Sequence, residues 1–373
     1  MRGLKKIMYN IMMYLMPPNR PQEPKPPFCY QEETVTYKNT KDNINISGTL
    51  TFPHEKGPFA TIILVPGMGP NDRNCTMLGH KPFLLLADFL TRYGYCVLRF
   101  DKRGIGKSNG TYSTAITSAQ FANDVEAGIA YLKTRPDLID QKQISLLGHS
   151  EGGMIAAIVT AQCPDVSALI LLANVAFTSP KKACEQIGLL LRAHHASQEC
   201  IDADFHIRKQ LLEIVHTTEN RSLAAQKMHI AFTNHWNNLP RHIRKELNHY
   251  QFDFAINAPN KHKVMHLFNS SWYRFFLHYD PLVTLEKITI PVLVLGGEND
   301  FIVSPQLTFP IIEKALQKAK NPHYTMLTMP HINHWFQTCK TGILAEYATI
   351  EETISPIVLE TIVTWLKKQT HNK

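Results

Sequence analysis

The 373-residue chain lacks an apolar run long enough to cross a bilayer. Its longest candidate, Ile7 to Met16, is ten residues, against the roughly 20 that a spanning helix needs. It also lacks a cysteine framework. The seven cysteines are an odd number scattered from Cys29 to Cys339, and no two stand at C-x-x-C spacing. That excludes a disulfide scaffold and a zinc signature, and it favours a reducing compartment. No phosphate-loop spacing, dinucleotide fingerprint or long-period repeat is present. The formal charge of +8 is not spread over a surface. Residues 1–25 carry Arg2, Lys5, Lys6, Arg20 and Lys25 against Glu23. Residues 241–263 carry Arg241, Arg244, Lys245, Lys261 and Lys263 against Glu246 and Asp253. The rest is close to neutral, which argues against a nucleic-acid partner. At 44% apolar residues, wholesale disorder is excluded, and the length suits one large domain with an inserted piece, or two domains.

What is present begins with "MRGLKKIMYNIMMYLMPP", a basic start followed by the short apolar run. It has the first two regions of a signal peptide, without a small-residue cleavage site before Cys29. Two other expectations fit the pattern equally: a helix packed on the body, or an interfacial helix giving residues 1–16 peripheral membrane contact. The compartment is therefore cytoplasmic, or exported or membrane-associated through this segment. Pro17 to Phe28 holds six prolines in twelve residues, so it is neither helix nor central strand and reads as an extended linker. Residues 1–30 form a leading segment, and the body begins near Gln31.

From there, strand-length apolar runs recur. "TVTYK" and "ISGTLTFP" alternate, as strands with one exposed face do. "ATIILVPG", "CVLRFD", "ISLLG", "ALILLAN", "VLVLGG" and "YTMLTMP" are nearly continuous, as in strands buried on both faces of a parallel sheet. Helix patterns lie between them at Lys81–Tyr93, Ser118–Thr134, Glu151–Gln162, Pro305–Lys320 and Ser355–Lys368. This alternation predicts an α/β protein with helices on both sides of one twisted, mostly parallel eight-stranded sheet. It breaks once, between Thr178 and Lys287. A stretch of about 110 residues without a strand is too long for a structureless loop, so residues 179–287 are expected to be a helical insertion. Residues 31–178 and 288–373 then form the core. Ligands bind at the carboxyl ends of strands in such sheets, and the insertion leaves from that edge as a lid.

Within "LLGHSEGGMIAA", Ser150 stands between Gly148 and Gly152, where a strand ends and a helix begins. G-x-S-x-G at that junction is a nucleophile elbow. A serine nucleophile needs a base, and the base needs a carboxylate, each after a later strand in the order Ser, acid, His. After "VLVLGG" come Glu298 and Asp300; after "YTMLTMP" come His331 and His334. The oxyanion donors expected are the backbone N–H of Glu151, directly after the serine, and that of Met68 in the Gly67-Met68-Gly69 turn. Gly67 lets backbone approach a substrate closely.

Other polar residues have structural readings. "DKRGIGKSNG" is a loop in which Asp101 and Arg103 are expected to pair locally. Asp72, Arg73 and His80 are expected to be scaffold or surface groups, or to orient the oxyanion loop. Trp272, Phe275, Phe276 and Tyr279 share a helix face. That face packs the lid on the core or, for Trp272 and Phe276, lines an acyl pocket.

The chain resembles the α/β hydrolases, and within them a branch of bacterial serine esterases, many of them exported. The stretches that carry the resemblance are "GPNDRN", "LGHKPFLLLADFLTRYGYCVLRFDKRGIGKS", "FANDVEAGIAYLKTRP", "LLGHSEGG", "WYRFFLHYDP", "PVLVLGGEND" and "INHWFQ". They span about Glu32 to Lys368, and the lid is the part they cover least. The resemblance implies an α/β-hydrolase fold and a triad of Ser150, Asp300 and His334, preferring Asp300 to Glu298 and His334 to His331. It departs in two places. Pro66 stands where the oxyanion loop usually begins with His or Ser, and Phe301-Ile302-Val303 replaces the usual stretch after the acid. The implied function is a serine carboxylesterase acting on a small-molecule acyl ester, with no metal and no organic cofactor. The same triad serves thioesterases, acyltransferases and peptidases. A non-catalytic binding protein of this fold and a membrane-surface lipase are the remaining readings.

Overall fold

The computed structural model describes residues 19–177, 179–250 and 256–371, so the apolar segment at residues 1–16 lies outside the described residues. The strands are β1 (Tyr30–Asn39), β2 (Ile44–Pro53), β3 (Phe59–Val65), β4 (Cys96–Phe100), β5 (Ile139–His149), β6 (Val166–Leu172), β7 (Val292–Gly297) and β8 (Tyr324–Met329). They form one eight-stranded sheet in the order β1-β2-β4-β3-β5-β6-β7-β8. β1 pairs antiparallel with β2 and β2 with β4; all other neighbours are parallel.

The continuous apolar runs of β3 to β7 feed two cores at once, whereas "YTMLTMP", expected to be buried on both faces, forms the edge strand β8 and leaves Leu327 exposed. Along β3, Ile63 and Val65 enter one core while Ile62 and Leu64 enter the other. β6 divides likewise, with Leu169 and Leu171 against Ile170 and Leu172. Period-two alternation between two buried faces is why these strands read as unbroken hydrophobic sequence. Helices α1 (Pro82–Arg92) and α13 (Pro356–His371) cover one face. Helices α2 (Ser118–Leu132), α3 (Glu151–Thr160) and α11 (Pro305–Lys318) cover the other. The observed ends lie within three residues of those expected from periodicity.

Between β6 and β7 the described residues form seven helices: α4 (Pro180–Ala193), α5 (Gln198–Thr217), α6 (Arg221–Asn238), α7 (Arg241–Leu247), α8 (Lys261–Phe268), α9 (Ser271–His278) and α10 (Pro281–Leu285). Two apolar clusters of their own hold α4 to α9, one built on Leu211, Phe232 and Phe268, the other on Leu191, Ile201 and Tyr250, while α10 packs on the main core through Leu285. A short helix, α12 (Leu344–Tyr347), follows β8.

The proline-rich stretch differs from a free linker. Its described part, residues 19–28, has no helix or strand, as its prolines require, but it is docked on the body. Arg20 is buried and its guanidinium donates to the carbonyls of Ile350 (2.7 Å), Leu78 (2.8 Å) and Ala348 (3.0 Å). Gln22 exchanges hydrogen bonds with the backbone at Thr353 and Ile354. Proline supplies no N–H, so the side chains between prolines make the attachment.

The strand order reverses between β3 and β5: the chain winds outward to β4 from one and to β6 from the other. The crevice beyond the carboxyl ends of strands at such a switch point is where open α/β sheets hold ligands. Gly67 follows β3 and Ser150 follows β5, so the two loops meet there.

Candidate active site

Ser150 has φ 57° and ψ −122°, a conformation that side-chain-bearing residues rarely adopt. Its N–H donates to Leu172 O at 2.8 Å and its carbonyl accepts from Gly153 N at 3.0 Å, so the turn is held at both ends. The flanking glycines are required by contact. A Cβ on Gly148 would lie 2.2 Å from Gly152 O, and one on Gly152 would lie 2.1 Å from Val65 O. The serine therefore caps α3 and stands at the positive end of its dipole.

Two acid–histidine pairs were open in the sequence, and the fold separates them. Asp300 is 1% exposed and its Oδ2 lies 2.8 Å from His334 Nδ1. Its other oxygen, Oδ1, accepts from the N–H groups of Ile302 (2.9 Å) and Val303 (2.8 Å). Glu298 and His331 are both exposed, and they meet through the His331 backbone N–H, which donates to Glu298 Oε2 at 3.0 Å. Only the Asp300–His334 pair directs an imidazole into the crevice. Its loop is fixed by Asn333, whose Oδ1 accepts from Trp335 N and Gln337 N, and by Tyr347, whose hydroxyl accepts from His334 N.

His149, next to the serine, also serves this loop. Its Nε2 lies 2.8 Å from His334 O, so Nε2 carries the proton and donates. Burial, with His334 beside it, pulls its pKa down to about 3, which keeps the ring neutral and this tautomer in place.

Ser150, Glu151, Gly67, Met68, His334, Trp272 and Phe276 line one cavity of about 540 Å³. Its walls are largely apolar. One side runs between α1 and α13, past Phe83, Leu86 and Val358; the other runs beneath the insertion, past Ile187, Leu190 and Phe276. Of the four aromatics placed on one helix face, Trp272 and Phe276 line this cavity, while Phe275 and Tyr279 pack on the main core. Tyr279 lies just past the end of α9.

The expected pairing of Asp101 with Arg103 is not what forms. Asp101 accepts from Arg73 Nε and Nη2 (3.1 and 2.7 Å) and from Lys107 N, whereas Arg103 pairs with Asp124 and Asp42. Gly106 explains the choice: its Cα hydrogens face Asp101, and a Cβ there would lie 2.5 Å from Oδ2. The glycine loop wraps the carboxylate and leaves room for Arg73 alone. Arg73 thus ties the post-β3 loop to β2, Asp72 caps the backbone of Asn74 and Thr76, and His80 bonds Thr353 and Gln337. All three are scaffold.

Sequence reasoning missed four residues that hold the site. Lys102 and Asn71 both donate to Gly67 O, at 2.6 and 2.9 Å. Tyr347 supports His334. Gln186, from α4, donates to Phe301 O and accepts from Ser304 N, bracketing the loop of Asp300 from the insertion. Asn71 and Lys102 stand inside stretches whose motifs were legible, "GPNDRN" and "DKRG"; Gln186 and Tyr347 carry no local signal. Among the described residues no cluster of His, Cys, Asp and Glu could hold a metal ion, and no helix is long and apolar enough to cross a membrane.

Comparison with known proteins adds to this geometry. A sequence model of the serine aminopeptidase S33 family matches residues 58–276, and one of the prolyl oligopeptidase family matches residues 229–352. Esterase EstD of Thermotoga maritima is 32% identical over 279 residues, covering 74% of this chain and 54% of the relative. Thiohydrolase apmlB of Arthrinium phaeospermum is 27% identical over 164 residues, 43% of this chain and 50% of the relative. The chain thus spans about half the length of the curated relatives it matches. Among solved structures, the alpha/beta hydrolase GrgF of a Penicillium species superposes with TM-score 0.53 at 17% identity, covering 91% of this chain and 99% of that one. That likeness is one of fold.

Proposed function

Because the chain belongs to the serine aminopeptidase S33 family of the α/β-hydrolase superfamily, we propose that it is a serine carboxylesterase working through an acyl-enzyme. The observation that carries this reading is the buried Asp300–His334 hydrogen bond of 2.8 Å, opening into the same cavity as a serine held on a strained turn.

In this mechanism His334 Nε2 takes the Ser150 proton as Oγ attacks the ester carbonyl. Asp300 keeps Nδ1 protonated and stabilises the imidazolium. The backbone N–H groups of Met68 and Glu151 receive the oxyanion. His334 then protonates the departing alcohol, and water, activated by the same imidazole, releases the acid. Each step uses a side chain or N–H of this chain.

An ester is favoured over a peptide by the cavity walls. Glu151 is the only carboxylate among the described lining residues, and it is engaged by Ser118, Trp272 and Lys102. A peptide's α-ammonium group would find no free counter-charge there, whereas an apolar acyl chain fits. A thioester remains the second reading, favoured by the thiohydrolase relative; its leaving group makes the same demands on the triad. The helical insertion, as a lid, would select between them.

The test is labelling by a fluorophosphonate probe, followed by turnover of p-nitrophenyl esters, acyl-CoAs and peptide amides. Labelling confined to Ser150, with esters preferred, is expected. Ser150→Ala should reduce turnover by about 10⁶. Folded protein that takes no label supports the non-catalytic reading instead.

A further inference from the structure

Lys102 is 2% exposed, among the most deeply buried side chains described, and it carries an ammonium group. Buried lysines are rare and need partners. Its Nζ donates to Gly67 O at 2.6 Å, stands 3.7 Å from Glu151 Oε2, and lies 4.4 Å from the centre of the Phe121 ring. Glu151, equally buried at 3%, accepts from Ser118 Oγ at 2.7 Å and from the indole N–H of Trp272 at 2.6 Å. No step of the mechanism uses either charged side chain.

Their position gives them a role. The carbonyl of Gly67 and the N–H of Met68 belong to one peptide unit. That unit is trans, since the cis bonds lie at Pro26–Pro27 and Gly57–Pro58. In a trans peptide the C=O and N–H point in opposite directions. Holding the carbonyl on Lys102 and Asn71 therefore turns the Met68 N–H the other way, toward the cavity that Gly67 and Met68 line. A hydrogen bond from a cation to the carbonyl also polarises the N–H of the same unit. Glu151 supplies the second N–H through its backbone while its carboxylate holds the lysine. One ion pair thus joins the two halves of the oxyanion site. Trp272, from α9, attaches the helical insertion to it.

We propose that Lys102 and Glu151 are positioning residues that fix the Gly67–Met68 peptide as an oxyanion donor, with Trp272 coupling this pair to the insertion over the cavity. The proposal rests on the acyl-transfer reading of Ser150. Without the lysine the carbonyl keeps only Asn71, and the less restrained peptide can rotate to present its carbonyl oxygen to the oxyanion, which repels it.

The decisive variant is the double substitution Lys102→Met with Glu151→Gln, which removes both charges together and leaves no unpaired ion in the interior. Its readouts are thermal midpoint, kcat and KM for a p-nitrophenyl ester, and inhibition by a trifluoromethyl ketone, which forms a tetrahedral oxyanion on the serine. The expected result is a folded protein with near-native midpoint, KM within a few-fold, and kcat lower by about 10²–10³, the typical loss for one oxyanion donor. The ketone should bind weaker by a similar factor. Native kcat and native ketone affinity overturn the proposal. If the double variant does not fold, Ser118→Ala decides. It removes one donor to Glu151 from outside the cavity; kcat and ketone affinity falling together support the proposal, and both unchanged overturn it. A wild-type chain that turns over no ester and takes no fluorophosphonate label removes the reading of Ser150 and this proposal with it. A labelled, active wild type with unaffected variants overturns the positioning role alone.

Discussion

Asp300→Asn is the sharpest test of the proposed triad, because the two oxygens of Asp300 are not equivalent. Oδ1 accepts from two backbone N–H groups, at 2.9 and 2.8 Å, while Oδ2 faces His334 Nδ1 at 2.8 Å. In the variant the amide oxygen must take the Oδ1 position. An NH₂ placed there would oppose two donors and leave them unsatisfied, at about 1–3 kcal/mol each. The NH₂ group therefore faces His334 and donates to Nδ1. That fixes the imidazole with its proton on Nε2, the tautomer unable to accept from Ser150. Side-chain volume and hydrogen-bond count are both kept, so the fold should survive. The expected loss is about 10⁴ in kcat, as for the same substitution in other serine triads, or about 5 kcal/mol of barrier. The assay is p-nitrophenyl ester turnover at pH 7, with the thermal midpoint measured alongside. Glu298→Gln is the matched control. Glu298 is exposed and contacts His331 only through backbone, so turnover should stay within about twofold, as for ordinary surface changes. A loss below tenfold in Asp300→Asn at native midpoint, or a comparable loss in Glu298→Gln, refutes the assignment.

Further outcomes follow from the surroundings of the site. Gly152→Ala puts a methyl 2.1 Å from Val65 O, and because the methyl has no rotamer to escape by and Val65 O belongs to backbone, the turn must move; insoluble or strongly destabilised protein is expected, and a native midpoint would contradict the packing described. His149 titrates near 3 when folded and near 6.5 when unfolded, so the unfolded chain binds the extra proton between those values. The stability this neutral ring contributes is complete above pH 6.5 and is lost progressively as pH falls toward 3. Urea midpoints measured from pH 7 to 4.5 should fall less steeply in His149→Asn than in wild type, and equal slopes would count against a neutral His149. Arg20→Ala deletes a guanidinium bonded to three carbonyls; a loss of about 2–4 kcal/mol in unfolding free energy is expected, from charged hydrogen bonds of 1.5–3 kcal/mol each, partly replaced by water. A change under 0.5 kcal/mol, the scale of ordinary surface substitutions, would mean that the leading segment is not fixed to the body.

The sheet was legible because a strand buried on both faces must satisfy two cores, and the nearly continuous apolar runs of β3 to β7 are the direct trace of that demand. The turn that carries Ser150 was legible for a related reason: a turn so tight that Gly148 and Gly152 each admit no side chain leaves its mark in sequence. Contacts made across the fold leave no such mark. Asp101 and Arg103 are two residues apart, yet the glycine loop around Asp101 turns them to different partners, Arg73 from the preceding loop and Asp124 from α2. Proline content likewise matched the backbone of residues 19–28, which has neither helix nor strand, but not its docking, since two of the acceptors of Arg20 lie more than three hundred residues away.

The choice between Glu298 and Asp300, and between His331 and His334, shows where local pattern stops. All four residues fall in the two loops that the chemistry requires, and spacing within a loop does not say which side chain turns inward. The fold decides by backbone donors. Asp300 can be buried because Ile302 and Val303 point N–H groups at one of its oxygens, and a carboxylate already so satisfied has one oxygen left for an imidazole. Glu298 has a single such donor, from His331, and stays in water. The same accounting applies to Lys102 and Glu151. Each buried charge in this crevice is held by groups from other loops, Gly67 and Ser118 among them, so the groups that support the chemistry are the last to be read from sequence. The proposed triad alone therefore underspecifies the site: the Gly67 carbonyl beside it is held by Lys102, a lysine whose motif reads, in one dimension, as an ordinary glycine-rich turn.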